Sequence, residues 1–370
     1  MAYYSIFPEK DTTLYSHPDR STMNTGNDEI LELVKEKGSN NPKYYPSRIL
    51  IQFSDADIQS AINKLGVNSY TSSLQLFSTE HKNLSSNQAI KIFPVSKSWD
   101  EGTGKYSNLP ISSNGCSWIY RNDSTRGTQW ITSEFTSNTT GSIDPRTGIT
   151  LGGGEWYIGN GFESSQSFSN ADSLDLDLNV TSIVQKFNDN TIPNYGFIIK
   201  YTDNVEENTS GSYGDLQYFS ADTHTIYPPR LVFKWDDSTH SKQSSAKTSG
   251  DLNVSLYSNK GEYNQNDIAK IKLHVRDKYP TRQFTSSSNY LNPGYFTTSS
   301  YYSIRDAHTE EVIIPFDDNN TKLSADGNGM YFNLYMNGLQ PERYYRMLFK
   351  HINNDGTQIY DDNYHFKVVR

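Results

Sequence analysis

One cysteine, eight histidines and a few acidic runs are what this 370-residue chain offers for covalent or metal chemistry. A thiol nucleophile needs a base in reach and a lowered pKa. Cys116 sits beside Gly115 and close to Trp118 with no histidine nearby in sequence, so an inert, partly buried thiol is expected. The histidines form no HExxH motif and no i, i+4 pair, which argues against a zinc site. Asp172, Asp175 and Asp177 resemble a calcium cluster at first. Leu174, Leu176 and Leu178 alternate with the two later acids, however, as in a strand with one wet face. The run Asp317–Lys322 lacks the glycine and terminal glutamate of an EF-hand loop and reads as a turn. Asp100 and Glu101 could be proposed as a glycosidase pair, but adjacent residues on an extended chain point to opposite faces. Gly152-Gly153-Gly154 has no following Lys-Ser/Thr, so it is a hairpin or bulge with Trp156 packed behind it, and not a phosphate loop.

Two features remain for recognition or support. Arg48 lies in a strand pattern in which Ile49, Ile51 and Phe53 share one face while Arg48 and Gln52 share the other. A structural ion pair is the expected use of Arg48, ahead of direct binding. The segment 279–302 is dense in aromatics and turns, and Tyr and Arg are favoured interface anchors. Packing at a sandwich end is the first reading of this segment, and Arg282, Tyr290, Tyr295 and Phe296 are the candidate interaction surface on the alternative one.

Positioning these residues requires a β framework. Aromatics make up 13% of the chain, Ser, Thr and Asn are abundant, and mean hydropathy is −0.73. That mix suits half-buried pleated surfaces joined by turns. Net charge is −9 with no basic patch, so nucleic acid is not an expected partner. A single cysteine excludes an intramolecular disulfide framework. No apolar run approaches membrane-spanning length, and Met1–Ser5 lacks the regions of a signal peptide, so synthesis in a cytoplasm and no membrane partner are expected.

Three divisions follow: a first domain over residues 1–237, a polar flexible linker over 238–250, and a second domain over 251–370. Strands are expected at Leu74–Phe77, Ala89–Val95, Phe197–Tyr201 and Leu231–Trp235 in the first domain. Two short helices interrupt them. One carries Ile58, Ala61, Ile62 and Leu65, and the other Val180, Ile183, Val184 and Phe187, both at helical spacing. In the second domain, alternation over 252–256, 269–275, 332–336 and 345–349, with a hairpin turn at Asn354-Asp355-Gly356 before a last strand at Tyr364–Val369, suits an immunoglobulin-like sandwich. The turn Gly338–Tyr344 leads into Tyr345, the candidate for a tyrosine corner.

The motifs Lys10–Leu14, Asn24-Thr25-Gly26, Ile30–Leu33 and Ser47–Asp55 resemble the start of a DNRLRE-type domain. Ser98–Thr103, Asp175–Thr181, Asn194–Lys200 and Pro229–Leu231 continue the likeness in order through residue 237. Ser54 stands where that family carries its first acid, with Asp55 beside it. The resemblance implies a jelly-roll-like β-sandwich that binds or builds and seldom catalyses. The whole chain also resembles virion structural proteins of T4-like phages of marine cyanobacteria. The expected fold is thus all-β, a jelly-roll-like sandwich with two short helices linked to an immunoglobulin- or fibronectin-like sandwich. The expected role is non-enzymatic assembly with other virion proteins, in multiple copies, in the tail, baseplate or neck. No cofactor is expected, an edge calcium ion being the one such sandwiches can carry. The runner-up is a carbohydrate-binding module using Trp118, Trp130 and Trp156 as a platform.

Overall fold

The computed structural model describes residues 2–38, 43–66, 68–82, 87–123, 127–130, 138–143, 150–169, 173–208, 210–211, 213–281 and 293–370. Among them the fold is all-β, with twenty-four strands and three short α-helices. The chain forms two compact units. One comprises Ile6–Ile62 and Ser72–Val232, and the other Met1–Ser5, Asn63–Thr71 and Phe233–Arg370. The chain passes between them within β1 (Ala2–Ile6), α1 (Asp55–Leu65), β6 (Tyr70–Leu76) and β15 (Arg230–Trp235). Sequence order expects a simple cut near Asp237, whereas the second unit also takes in two short N-terminal segments.

The first and larger unit is built on an antiparallel sheet. Its order is β11 (Ser164–Phe168), β8 (Gln88–Pro94), β13 (Phe197–Tyr201), β5 (Tyr44–Gln52) and β2 (Lys10–Tyr15), with β4 (Lys35–Lys37) on the start of β5. Ile49, Ile51, Ile92 and Ile199 are fully buried on one face of this sheet. The opposite face, which carries Arg48, is buried as well. Leu14, Leu50 and Ile198 there join Trp99, Cys116, Trp118, Trp130 and Trp156 in one apolar cluster. Val95, Trp99, Cys116, Trp118, Trp130 and Trp156 thus supply a second layer, which strand periodicity cannot reveal because it comes from far along the chain.

Within that layer β9 (Thr139–Ile143) pairs with β10 (Thr150–Tyr157), and the ladder breaks into a bulge at Gly152–Gly154, all three at positive φ. A further sheet runs β3 (Ile30–Leu33), β14 (Asp215–Phe219), β7 (Ser78–Lys82). In β12 (Leu176–Asn179) the leucines are buried, while Asp177 and Asn179 are exposed. Both expected helices form. α1 buries Ile58, Ala61 and Leu65, and α2 (Thr181–Asn188) buries Ile183, Val184 and Phe187. Asn179 Oδ1 accepts the Thr181 N–H at the entrance of α2. The third helix, α3 (Asp203–Glu207), has no counterpart in the sequence reading.

The other unit is an immunoglobulin-like sandwich. One sheet has the order β16 (Leu252–Leu256), β18 (Ile268–Asp277), β22 (Gly329–Tyr335), β21 (Ser324–Asp326). The other has β17 (Glu262–Asn264), β24 (Gly356–Val369), β23 (Arg343–Asn353), β19 (Ser300–Asp306), β20 (Val312–Ile314). In chain order this is the A-B-E-D and G-F-C arrangement of immunoglobulin domains, with β17 parallel to β24. Tyr302 stacks on Phe332 across the core, centroids 4.1 Å apart. Tyr345 Oη donates to the Gln340 carbonyl at 2.9 Å, forming the tyrosine corner. The hairpin closes on Asn353 and Gly356, so the last strand begins eight residues before the expected Tyr364.

Residues 238–250 are not a free tether. Ser241 N–H donates to the Ala325 carbonyl, Lys247 N–H to Tyr295 and Asn354 N–H to Thr248. Lys247 also pairs with Asp277 at 2.9 Å. A polar composition reads as flexible because side chains dominate hydropathy, yet backbone donors and acceptors bond regardless of the side chains they carry.

Candidate functional site

Two motifs distant in sequence meet in one knot of the larger unit. Asn24 is fully buried. Its Nδ2 donates to the Glu101 carbonyl at 2.5 Å and the Cys116 carbonyl at 2.9 Å. Its Oδ1 accepts the Gly104 N–H at 2.8 Å and, longer, that of Gly26. The approach is so close that a Cβ on Gly104 would lie 2.1 Å from the Asn24 carbonyl oxygen, and one on Gly26 would lie 2.2 Å from that of Glu101. Glycine is therefore the residue that fits at both positions. Beside the knot, Glu101 Oε1 accepts the Asp11 N–H at 2.9 Å, and Asp11 Oδ2 accepts the Ala221 N–H at 2.7 Å. Burial pushes the Asp11 carboxyl well above the usual carboxylate range, and nearby Glu101 and Asp222 push the same way. A raised carboxyl in a cleft would suggest an acid catalyst. Asp11 is only 1% exposed and holds a loop by its backbone, so it faces no cleft. Asp100 is exposed while Glu101 turns inward, consistent with opposite faces.

The second polar centre gathers around Arg48 on β5. Arg48 Nε and Nη2 grip both oxygens of Glu206, from α3, at 3.1 and 2.8 Å. Nη1 donates to the Gly153 carbonyl at 2.6 Å. The guanidinium lies 4.7 Å from the Trp118 ring and 5.0 Å from Trp156. Lys200 on β13 adds a second cation 3.1 Å from Glu206 and also pairs with Asp203. Side-chain exposures of 4% for Arg48, 7% for Glu206 and 2% for Lys200 show a sealed network. A Cβ on Gly153 would come within 2.6 Å of Trp118 and 2.8 Å of Arg48, which explains the glycine at the bulge. Lys35, on β4, donates to the Val205 and Asn208 carbonyls at the end of α3. Burial brings its pKa down to about 8, against the pull of Glu206. The structural reading of Arg48 is thus the one realised. Its partners Glu206 and Lys200 were missed by sequence, although a lysine inside the apolar run Phe197–Tyr201 must find an anion.

Other sequence candidates resolve as follows. Cys116 is fully buried, and burial pushes its thiol far up, so the thiolate nucleophile is suppressed. Trp118, Trp130 and Trp156 are 6%, 2% and 5% exposed, which removes the aromatic platform a glycan site would use. Asp175 Oδ1 accepts from the Ser78 N–H at 2.7 Å; Asp172 lies outside the described residues. Among the described residues no group of three or more His, Cys, Asp or Glu could hold a metal ion. No helix of the described residues is long and apolar enough to cross a membrane.

The expected interaction surface is corrected. Tyr295 is 7% exposed and Phe296 fully buried, the latter stacked between His351 and Tyr360 at 4.4 and 5.4 Å. Their large rings fill the sandwich instead of leaving it. Arg282 and Tyr290 lie outside the described residues. Compared with known proteins, the chain matches no family model and no curated protein.

Proposed function

We propose that the chain is a non-enzymatic structural protein of a phage particle, acting by protein–protein assembly in the tail, baseplate or neck. The observation that supports the non-enzymatic half is where the reactive groups lie. Asp11, Cys116, Arg48, Lys200 and Glu206 are all buried, and the charged ones are engaged by the chain's own atoms. A general acid, base or nucleophile must reach a substrate; these groups hold loops and layers together. The particle half rests on the sequence resemblance, and two β-rich units with well-packed cores suit such a part. On this reading the protein is made in the host cytoplasm, resides in the virion in multiple copies and touches other virion proteins.

Mass spectrometry and cryo-EM of purified particles test it. The chain is expected in stoichiometric amount beside tail, baseplate or neck proteins, and its absence from washed particles overturns the proposal. A glycan array is expected to give no signal.

A further inference from the structure

We propose that the groove between β16 and β24 of the immunoglobulin-like unit receives an extended, lysine- or arginine-bearing segment of a partner protein as an added β-strand. The inference deepens the assembly reading and rests on it. The groove measures about 580 Å³ and is lined by residues including Leu252, Val254, Lys278, Ile359, Asp361 and Asp362.

Both flanks offer open backbone. β16 is an edge strand whose sheet neighbour is β18. The Asp251 carbonyl accepts from Lys278 N–H and Tyr257 N–H donates to Lys272, so odd positions turn toward β18. Backbone groups alternate along a strand, so those of Leu252, Val254 and Leu256 turn away from it. On the other flank, the two-residue hairpin pairs Gly356 with Asn353, which turns Thr357 and Ile359 away from β23. β17 covers β24 only over Lys367–Val369. Among the described residues no strand pairs with either free side. Five residues of β16 present about 17 Å of edge, enough for a short added strand.

Edge strands in monomers are usually blunted by lysine, proline or a bulge. β24 does carry an irregularity between its pairs at Tyr360 and Tyr364, with Asn363 at positive φ. The Thr357–Ile359 stretch before it carries none of these, and Ile359 is 58% exposed. β16 reads Leu-Asn-Val-Ser-Leu, again without a blunting residue.

Charge selects the occupant. The lining holds Asp251, Asp361 and Asp362 against the single cation Lys278. A second copy would bring its own acids, on a chain of net charge −9, to the same place. A basic strand meets complementary potential instead.

The test uses the full chain and two labelled peptides, one alternating Lys with Val and one alternating Glu with Val, followed by fluorescence anisotropy. The Lys peptide is expected to saturate the chain and the Glu peptide to fail. Asp361→Lys combined with Asp362→Lys should weaken binding at least about tenfold. Ile359→Pro removes one outward N–H without touching the β23 ladder, and should weaken binding about fivefold. Circular dichroism establishes that each variant folds. Four results overturn the proposal: no saturation, equal binding of both peptides, indifference to both variants, or a chain dimer in sedimentation that Ile359→Pro dissolves, which would make a second copy the occupant. Because the peptides are read without particles, failure here leaves the particle test standing, and absence from particles leaves the groove measurement intact.

Discussion

Removing the imidazole of His351 should flatten the acid limb of this protein's stability. His351 lies on β23, fully buried and stacked on Phe296 at 4.4 Å. Its Nε2 accepts the Thr297 backbone N–H at 3.2 Å, so that nitrogen must be unprotonated. The neutral ring therefore carries its hydrogen on Nδ1, which is buried with no hydrogen-bond partner among the described residues. A second proton would charge a desolvated ring and turn Nε2 from acceptor to donor against an N–H. Burial accordingly lowers its pKa from 6.5 to about 4. A depressed folded-state pKa means the contribution is complete above 6.5 and is lost as pH falls through about 4. At about 1.4 kcal/mol per pH unit, that displacement corresponds to about 3 kcal/mol. His351→Phe keeps the stack and abolishes the titration, but leaves the Thr297 N–H without its acceptor, costing about 1–3 kcal/mol at neutral pH. Guanidinium unfolding of wild type and variant, followed by circular dichroism at several pH values, measures the difference, in which most other titrating groups cancel. The wild type's advantage should shrink and then reverse as pH falls from above 6.5 toward 4. A difference that stays constant with pH, or an imidazole resonance titrating near 6.5, would refute the reasoning.

Arg48→Met leaves the buried Glu206 with Lys200 as its remaining direct ion pair among the described residues and should cost about 3–5 kcal/mol, read by urea unfolding with tryptophan fluorescence. A loss under about 1 kcal/mol would mean that the pair contributes little. Asp11→Asn keeps an acceptor for the Ala221 N–H while removing a carboxylate that burial disfavours. A raised folded-state pKa means the wild type's contribution is complete below 3.8 and declines as pH rises, so the variant should gain stability at neutral pH and lose that advantage in acid. Cys116 should resist Ellman's reagent in the native chain and react fully once unfolded, since it is buried and its thiol pKa is pushed up. Rapid native labelling would contradict that burial.

Legibility in the sequence followed the range of the interactions. Alternation located the immunoglobulin-like strands and the corner at Tyr345, because one buried face and one short turn are local properties. Helical spacing located α1 and α2 for the same reason. The ion-pairing role of Arg48 is legible in its strand, but the cover over its face is not, because it comes from Trp118, Trp156 and α3, at least seventy residues away. Asn24 and Glu101 were each singled out in motifs, yet nothing in their spacing tells that Nδ2 of one meets the carbonyl of the other. For Tyr295 and Phe296 the sequence leaves packing and interface both open, because aromatic density is shared by interfaces and cores, and only the folded structure separates the two.

The two units use their polar residues differently, and that difference has a testable consequence. In the larger unit, Asn24, Arg48 and Glu206 satisfy themselves internally, so substitutions there should register as stability and leave recognition unchanged in whatever fraction stays folded. In the immunoglobulin-like unit, Ile359, Asp361 and Asp362 are exposed and flank open backbone, so substitutions there should register as binding with stability changed by about 0.5 kcal/mol or less. Asp361 is the sterner case because it sits 3.4 Å from Arg346, and a surface pair of that kind contributes about 0–1 kcal/mol. Measuring unfolding and peptide binding on the same Arg48→Met and Asp362→Lys proteins separates the two effects. Should Arg48→Met alter peptide affinity in fully folded protein, the recognition surface would have to extend into the larger unit, and the assignment of binding to the β16–β24 groove would fail.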